Sequence, residues 1–208
     1  LVDVKQDQAA IDTWWQRITV GLSEAEQSDL KRKYARAQLI NTTDPVLQML
    51  AYDISEHYRI NWQGTPFKGQ VVAASRAAAV KLKGFIDEIG HVSCEVLISG
   101  PQHRRGHEDV DDVPDDGVHA FWQKMMGRYG SEEEYNRSLI EAFKQADKPE
   151  LLIVKDKLLT GFDAPRNRVL YLTRELREHT LLQAVARVNR LYETTTEDGG
   201  RIEKDDGQ

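Results

Sequence analysis

Residues 69–90, GQVVAASRAAAVKLKGFIDEIG, contain the pattern that decides the fold. The apolar run Gln70–Ala74 predicts a short strand, and Ser75 directly after it can cap a helix. An amphipathic segment follows and ends at Gly90, a residue that suits a helix C-terminus. Because a strand that passes directly into a helix is half of a β-α-β unit, this stretch predicts a parallel sheet covered by helices.

The same alternation of strand and helix continues along the chain. Further strands are predicted at Val92–Ile98, Leu151–Val154 and Val169–Leu172. One helix is predicted around residues 121–129. A second helix begins at a capping box of Ser131 and Glu134, and a third begins at Thr180. Short apolar strands that alternate with helices predict the α/β class, with a parallel sheet and helices on both faces.

Three regions differ in composition. Residues 1–66 have helical patterns, with a capping box at Ser23 and Glu26 and a cap with a first-turn proline at Asp44-Pro45. Residues 67–193 carry the α/β pattern, and residues 194–208 form a polar, glycine-rich tail that we expect to be frayed. Trp14 and Trp15 are adjacent in the first region; packing in a core or interface is one interpretation and stacking on bases is the other.

Charge and cysteine content exclude some classes of protein. The net charge of −6 argues against general affinity for nucleic acid, yet cations outnumber acids between residues 151 and 192, where a polyanion could bind. No apolar run is long enough to span a membrane, and no signal-peptide pattern is present. Cys94 is the single cysteine and lies in an apolar run, so we expect a buried thiol and a cytoplasmic protein without disulfides or a zinc cluster.

The strongest chemical pattern is Gln183-Ala-Val-Ala-Arg187-Val-Asn-Arg190. On a helix, Gln183, Arg187 and Arg190 fall within about 60° of one another, while Leu181, Val185, Val188 and Tyr192 fall on the opposite side. Two guanidinium groups one turn apart suit the oxygens of a γ-phosphate. The alternative is an ordinary solvated face of an amphipathic helix.

A second pattern, Leu158-Leu-Thr160-Gly161-Phe-Asp163-Ala-Pro165, directly follows a predicted strand. Gly161 has no Cβ, so the backbone at this turn can approach a phosphate closely. Asp163 can bind a ribose hydroxyl or orient an arginine. A plain turn is the alternative.

These two patterns, in this order, resemble motifs V and VI in the C-terminal RecA-like lobe of superfamily 2 helicases. The glycine that usually precedes the first arginine of motif VI is Ala186 here. The longer string DKLLTGFDAPRNRVLYLTRELREHTLLQAVARVNRLYE is similar to the R subunits of type I restriction enzymes. The resemblance extends to AIDTWWQRITVGLSEAEQSDLKRKYAR and FWQKMMGRYGSEEEYNRSLIEAFK, and therefore covers most of the chain.

The resemblance implies a role for each motif. Arg187 and Arg190 would contact the γ-phosphate of ATP, and Gln183 would position water or link two lobes. Gly161 and Asp163 would bind the nucleotide. Residues 69–76 occupy the place of motif IV, which implies that Ser75 and Arg76, with Thr160, contact the DNA backbone. Independently of the resemblance, a helix N-terminus such as the one after Ser75 binds anions. The other interpretation of Ser75 is a simple N-cap.

The resemblance also implies partner subunits and a first RecA-like lobe in addition to this one. No Gly-x-x-x-x-Gly-Lys-Ser/Thr sequence is present, so we expect the P-loop and the Mg²⁺ ligands on a first RecA-like lobe of the same polypeptide. Phe85-Ile-Asp87-Glu88 mimics a Walker B end but lies in a helical pattern. The implied whole is an ATP-driven translocase of double-stranded DNA that carries a nuclease domain and assembles with methylation and specificity subunits.

Two other functions remain open from the sequence. The chain could be the C-terminal lobe of another superfamily 2 helicase. It could also be an interaction domain without catalytic activity, whose arginine-bearing helix contacts a protein.

Overall fold

The computed structural model describes residues 43–100, 115–158, 163–174, 183–186, 193–195 and 201–203. The chain divides into two compact units, residues 1–40 and 41–208, and every described residue belongs to the second. The predictions for Trp14, Trp15 and the Ser23–Glu26 capping box lie outside the described residues. None of the helices in the described ranges is long and apolar enough to cross a membrane.

The second unit contains helices and strands in the alternating order that the sequence predicts. The helices are α1 (Asp44–Asn61), α2 (Arg76–Ile89), α3 (Asp116–Tyr129) and α4 (Glu132–Gln145). The strands are β1 (Lys68–Val72), β2 (Cys94–Leu97), β3 (Leu151–Val154), β4 (Asn167–Leu172), β5 (Glu193–Thr195) and β6 (Arg201–Glu203).

Strands β1 to β4 form one sheet in the order β2-β3-β1-β4, and every neighbouring pair is parallel. Successive residues of each strand face opposite sides, and both sides of the central strands β1 and β3 are buried, whereas Leu172 at the end of the edge strand β4 is 41% exposed. On one face, α1 and α2 pack against Val71, Val96 and Ile153. On the other, α3 and α4 pack against Val72, Leu97 and Leu152. The predicted α/β class, with helices on both faces of a parallel sheet, is therefore confirmed.

Local signals set most helix ends. Ser75 accepts a hydrogen bond from the Ala78 amide at 3.0 Å, Ser131 accepts one from the Glu134 amide at 3.1 Å, and Gly90 ends α2 in the left-handed conformation. At α1 the expected cap is wrong by one residue. Thr43 occupies the N-cap position, and Asp44 is already helical. Because Pro45 needs no hydrogen-bonded amide, it fits the first turn in either case.

The strand bounds differ from the sequence prediction where polar side chains are buried. Strand β1 begins at Lys68, two residues before the predicted start, and β4 begins at Asn167. Asn167 Nδ2 donates to Gln70 Oε1 at 3.1 Å between these neighbouring strands. Lys68 Nζ donates to the backbone oxygens of Asp147 and Pro149. Because these polar atoms have partners, residues that resemble loop residues in the sequence can occupy a sheet interior.

The predicted tail contains a two-stranded pair. Strands β5 and β6 are antiparallel, with Thr194 opposite Ile202, which the polar composition of this region did not predict. The boundaries at residues 66 and 193 stay predictions.

The buried ammonium group of Lys68 predicts a dependence of stability on pH. Desolvation, together with the nearby Arg166 cation, lowers the pKa of Lys68 from 10.5 to about 8. Between these two values the unfolded chain holds a proton that the folded chain has released, so this group's contribution to stability rises with pH. We expect the difference in unfolding free energy, wild type minus Lys68→Met, to increase by about 2 kcal/mol from pH 7 to 9.5.

Denaturant unfolding of both proteins across this pH range measures that difference. Subtracting the two unfolding free energies cancels the contributions of groups that both proteins share. One such group is Cys94, where burial raises the pKa to about 12 and whose contribution to stability therefore decreases as pH rises. Lys81→Met, which removes a lysine at the surface of α2, serves as the control. A difference that stays flat or falls with pH would contradict the assignment.

Candidate functional site at the carboxyl edge of the sheet

Two of the predicted site residues that the structure describes, Ser75 and Arg76, lie just after the carboxyl end of β1. Asp163 instead lies beside the amino end of β4, where the Asn167 amide donates to the Ala164 oxygen at 2.9 Å. We define the carboxyl edge as the residues that directly follow the parallel strands, namely 73–76 after β1, 98–100 after β2, 155–158 after β3 and 173–174 after β4. In open α/β sheets, ligands bind in the crevice outside this edge.

Backbone hydrogen bonds continue from the strands into the carboxyl edge. The Ala73 amide donates to the Val154 oxygen at 2.8 Å. The Thr173 amide and hydroxyl both donate to the Val72 oxygen, at 3.1 and 2.9 Å. The three segments that leave β1, β3 and β4 therefore begin from a common hydrogen-bonded frame.

Ser75 and Arg76 lie where β1 passes into α2. The Ser75 hydroxyl caps the helix, and the first turn of α2 carries no acidic residue. The positive end of the helix dipole thus remains at the carboxyl edge, as an anion site needs. Arg76 Nη1 donates to the Gly100 oxygen at 2.8 Å, so part of this guanidinium joins the end of β2 to the start of α2. Their proposed contacts with DNA stay predictions.

The segment after β3, which leads to the Thr160–Asp163 pattern, is held by several side chains. Lys157 Nζ donates to Ile98 O at 3.2 Å, Glu132 Oε1 at 2.8 Å and Asn136 Oδ1 at 2.9 Å. Leu158 has a φ of 65°, in the left-handed region that side chains with a Cβ rarely adopt. A backbone in this conformation persists only where its surroundings hold it, and such residues cluster at functional sites.

Asp163 and Gln183 flank two residues of one buried cluster. Ala164 and Ala184 are each 3% exposed and belong to the same hydrophobic cluster as Val154 and Leu97. The structure therefore brings the end of the Thr160–Asp163 pattern and the start of the arginine-bearing helix to the same face of the sheet. Thr160, Gly161, Arg187 and Arg190 lie outside the described residues.

Residues 183–186 are helical, as predicted, but their orientation differs from the sequence interpretation. The helical pattern places Val185 on the packed face, whereas Val185 is 42% exposed and Ala184 is buried. Ala184 is buried because its side of the helix faces the cluster on the sheet, although Val185 is the larger apolar side chain. A hydrophobic pattern indicates only which face is the more apolar.

Sequence reasoning missed Arg174 and Asp156 as individual site residues. Arg174 Nη2 donates to Asp156 Oδ1 at 2.5 Å and to the Lys155 oxygen at 3.2 Å. The excess of cations between residues 151 and 192 was the available signal, but a count of charges does not show which of them meet.

Two other groups of residues do not form sites in the described part of the chain. Cys94 is buried, and desolvation raises the pKa of its thiol to about 12, which confirms the expected inert core cysteine. Asp87 and Glu88 lie within α2, so the Walker B resemblance is excluded by the fold. Across the described ranges, no three His, Cys, Asp or Glu side chains converge where they could hold a metal ion.

Comparison with known proteins identifies relatives for almost the whole chain. The family model for type I restriction enzyme subunit R domain 3 matches residues 102–204. The chain is 28% identical, over 192 residues, to the protein assigned as the endonuclease subunit of type I restriction enzyme MjaVIIP in Methanocaldococcus jannaschii, a match that covers 88% of this chain and 17% of that protein.

A bacterial relative gives the same result. The chain is 26% identical, over 201 residues, to the endonuclease subunit of type I restriction enzyme HindI from Haemophilus influenzae, with 92% of this chain and 17% of that protein covered. The chain thus spans about a sixth of the length of these relatives. The family match and these similarities agree with the motif resemblance, and together they support the R subunits of type I restriction enzymes as the family of this chain.

Proposed function

We propose that this chain is the second RecA-like lobe of the ATP-dependent DNA translocase in a type I restriction enzyme R subunit. The observation that carries the proposal is a buried cluster on the α3 and α4 face of the sheet, which includes the last residues of β2 and β3, Leu97 and Val154. The segment of motif V and the start of the motif VI helix share this cluster beside a parallel sheet, in a chain whose residues 102–204 match the R-subunit family model. Sites of phosphoryl transfer in such sheets form at the carboxyl edge, between two lobes.

In this proposal the chain supplies cations to a site that it does not complete. Arg187 and Arg190 stabilise the charge that develops on the γ-phosphoryl group, and Gln183 positions water or links the lobes. Gly161 and Asp163 contact the nucleotide. The described residues do not provide a cluster of Mg²⁺ ligands, so we assign the metal and the P-loop to the first lobe of the same subunit.

DNA contacts arise from the same edge. The capped N-terminus of α2, with Ser75 and Arg76, and the backbone near Thr160 would hold phosphates of one strand of the duplex. Closing and opening of the two lobes during hydrolysis then moves the duplex. The nuclease domain of the same polypeptide and the methylation and specificity subunits complete the enzyme.

The proposal is tested by comparing this chain with the complete subunit. We expect the 208-residue chain to fold but to hydrolyse ATP no faster than a blank, because half of the site is missing. Its binding to duplex DNA should be weak and should decrease steeply between 50 and 200 mM salt, since few phosphate contacts remain.

The complete subunit, assayed beside it, should hydrolyse ATP in response to DNA. Strong DNA-stimulated hydrolysis by the 208-residue chain alone would overturn the proposal. A complete subunit that hydrolyses ATP in response to RNA but not to DNA would instead favour another superfamily 2 helicase. A complete subunit with no hydrolysis would favour an interaction domain.

A further inference from the structure

Arg174 makes a contact across the sheet that its place in the sequence does not suggest. It follows β4, and in the strand order β2-β3-β1-β4 the end of β1 lies between β4 and β3. The Arg174 guanidinium reaches past β1 to Asp156 Oδ1 at 2.5 Å and to the Lys155 backbone oxygen at 3.2 Å. One side chain thus joins the segments that leave two strands that are not neighbours.

The surroundings of this pair strengthen the contact. The Arg174 side chain is only 17% exposed, and Lys155 Nζ lies 3.6 Å from the other carboxylate oxygen of Asp156. Asp156 is 60% exposed but is held by cations at both of its oxygens. A charge-assisted hydrogen bond from a largely covered guanidinium is stronger and more directional than a solvated surface ion pair.

The two joined segments lead to the two predicted halves of the site. Asp156 precedes Lys157 and the left-handed Leu158, after which the chain enters the Thr160–Asp163 pattern. Arg174 precedes the stretch that leads to the helical residues 183–186. The pair therefore fixes the ends of β3 and β4 relative to each other at the points from which the chain continues toward the two patterns.

We propose that the Arg174–Asp156 pair is a positioning clamp for ATP hydrolysis, which fixes the end of β3, ahead of the Thr160–Asp163 pattern in the sequence, to the end of β4, ahead of the Gln183–Arg190 pattern. This inference rests on the proposed function. Neither residue touches the reacting atoms; the pair acts through the segments that it joins. Displacement of a catalytic group by about 1 Å can lower a rate by about 10²-fold, so a clamp of this kind has a measurable effect.

The test is a double-mutant cycle in the complete R subunit, assembled with its methylation and specificity subunits. We expect Asp156→Ala and Arg174→Gln each to lower kcat for DNA-stimulated ATP hydrolysis by about 10²-fold. The KM for ATP should change much less than kcat, because in the proposed function the P-loop of the first lobe makes the main ground-state phosphate contacts and Gly161 and Asp163 only add to them. The double variant should be no slower than either single variant, since both substitutions break the same contact.

Arg166 provides the matched structural control. It also joins separate segments, with donors to the backbone oxygens of Pro66, Gln145 and Ala146, but it does so at the opposite end of the sheet. Arg166→Gln should lower the melting temperature and leave kcat unchanged. If the Asp156 and Arg174 variants behave in this way, with a lower melting temperature and normal kcat, the clamp is refuted.

Two further outcomes separate this inference from the proposed function. Effects of Asp156→Ala and Arg174→Gln that multiply in the double variant would show that the residues act independently, and would overturn the clamp. Arg190→Ala, measured in the same preparation, tests the motor itself. Full turnover by Arg190→Ala overturns the proposed function, whereas an inactive Arg190→Ala beside a fully active Asp156→Ala overturns only the clamp.

Discussion

In the complete R subunit, Arg190→Ala and Arg187→Ala should each lower ATP hydrolysis by about 10³-fold or more, the scale of an arginine-finger loss in related phosphoryl-transfer sites. In the proposed function the guanidinium groups act on charge that grows in the transition state. The affinity for ATP should therefore change much less than kcat. Translocation and distant cleavage should decrease with hydrolysis, because the proposal makes both depend on it.

A steady-state assay with saturating DNA measures kcat and KM for each variant. Arg137→Ala is the control, since Arg137 lies on α4 with 71% of its side chain exposed and pairs only with the neighbouring Glu134 among the described residues. Arg190→Lys tests geometry against charge. Lysine keeps the charge but loses the planar pair of donors, so it should restore little activity.

Three results would contradict this assignment in different ways. Full activity of Arg190→Lys would show that the site needs charge and not the guanidinium fork. Full activity of both alanine variants would show that this helix is not motif VI, and the interaction-domain interpretation would then be preferred. A parallel loss of melting temperature would attribute the effect to folding.

Tyr135→Ala should be the most destabilising of the single substitutions considered for the fold, with a loss of about 3–5 kcal/mol in unfolding free energy. Tyr135 is 0% exposed in the cluster between α3, α4 and the sheet. Its ring is perpendicular to that of Trp122 at 5.8 Å and lies 5.5 Å from that of Tyr129. Its hydroxyl donates to the Val96 oxygen in β2.

Tyr52→Ala provides a matched control for the loss of a tyrosine ring from a helix. Tyr52 is 54% exposed on α1, so its replacement should change stability by less than about 1 kcal/mol. Tyr135→Phe separates the hydroxyl from the ring, and loss of this buried hydrogen bond should account for about 1–2 kcal/mol. Denaturant unfolding monitored by circular dichroism measures all three.

The result also tests which helices hold the sheet. Equal stability of the Tyr135→Ala and Tyr52→Ala variants would mean that α4 does not pack on the β2 side of the sheet as described. A Tyr135→Phe variant as unstable as Tyr135→Ala would assign the whole effect to the hydroxyl. We expect the Tyr135 ring to contribute more to the unfolding free energy than the hydroxyl, because burial of the ring removes a large apolar area from water.

Structural elements whose causes are local could be predicted from the order of the residues. Ser75 and Ser131 cap their helices because each hydroxyl meets an amide only three residues away. Gly90 ends α2 because glycine, which has no Cβ, adopts the left-handed conformation without strain. Strand β3 has the predicted bounds, since four apolar residues between turns need burial on both faces. The family could also be predicted, because its motifs are contiguous in the sequence.

Features that depend on residues far apart in the chain could be seen only in the folded protein. Strand order, the burial of Lys68, the exposure of Val185 and the contact between Arg174 and Asp156 all arise from such contacts. From the sequence, Lys68 is expected at the surface. In the folded protein it is buried, and its ammonium group donates to the backbone oxygens of Asp147 and Pro149. The periodicity of apolar residues predicts which side chains are buried. The hydrogen-bond partner of a buried cation depends on which strands are neighbours, and the order of the strands depends on the packing of the whole sheet.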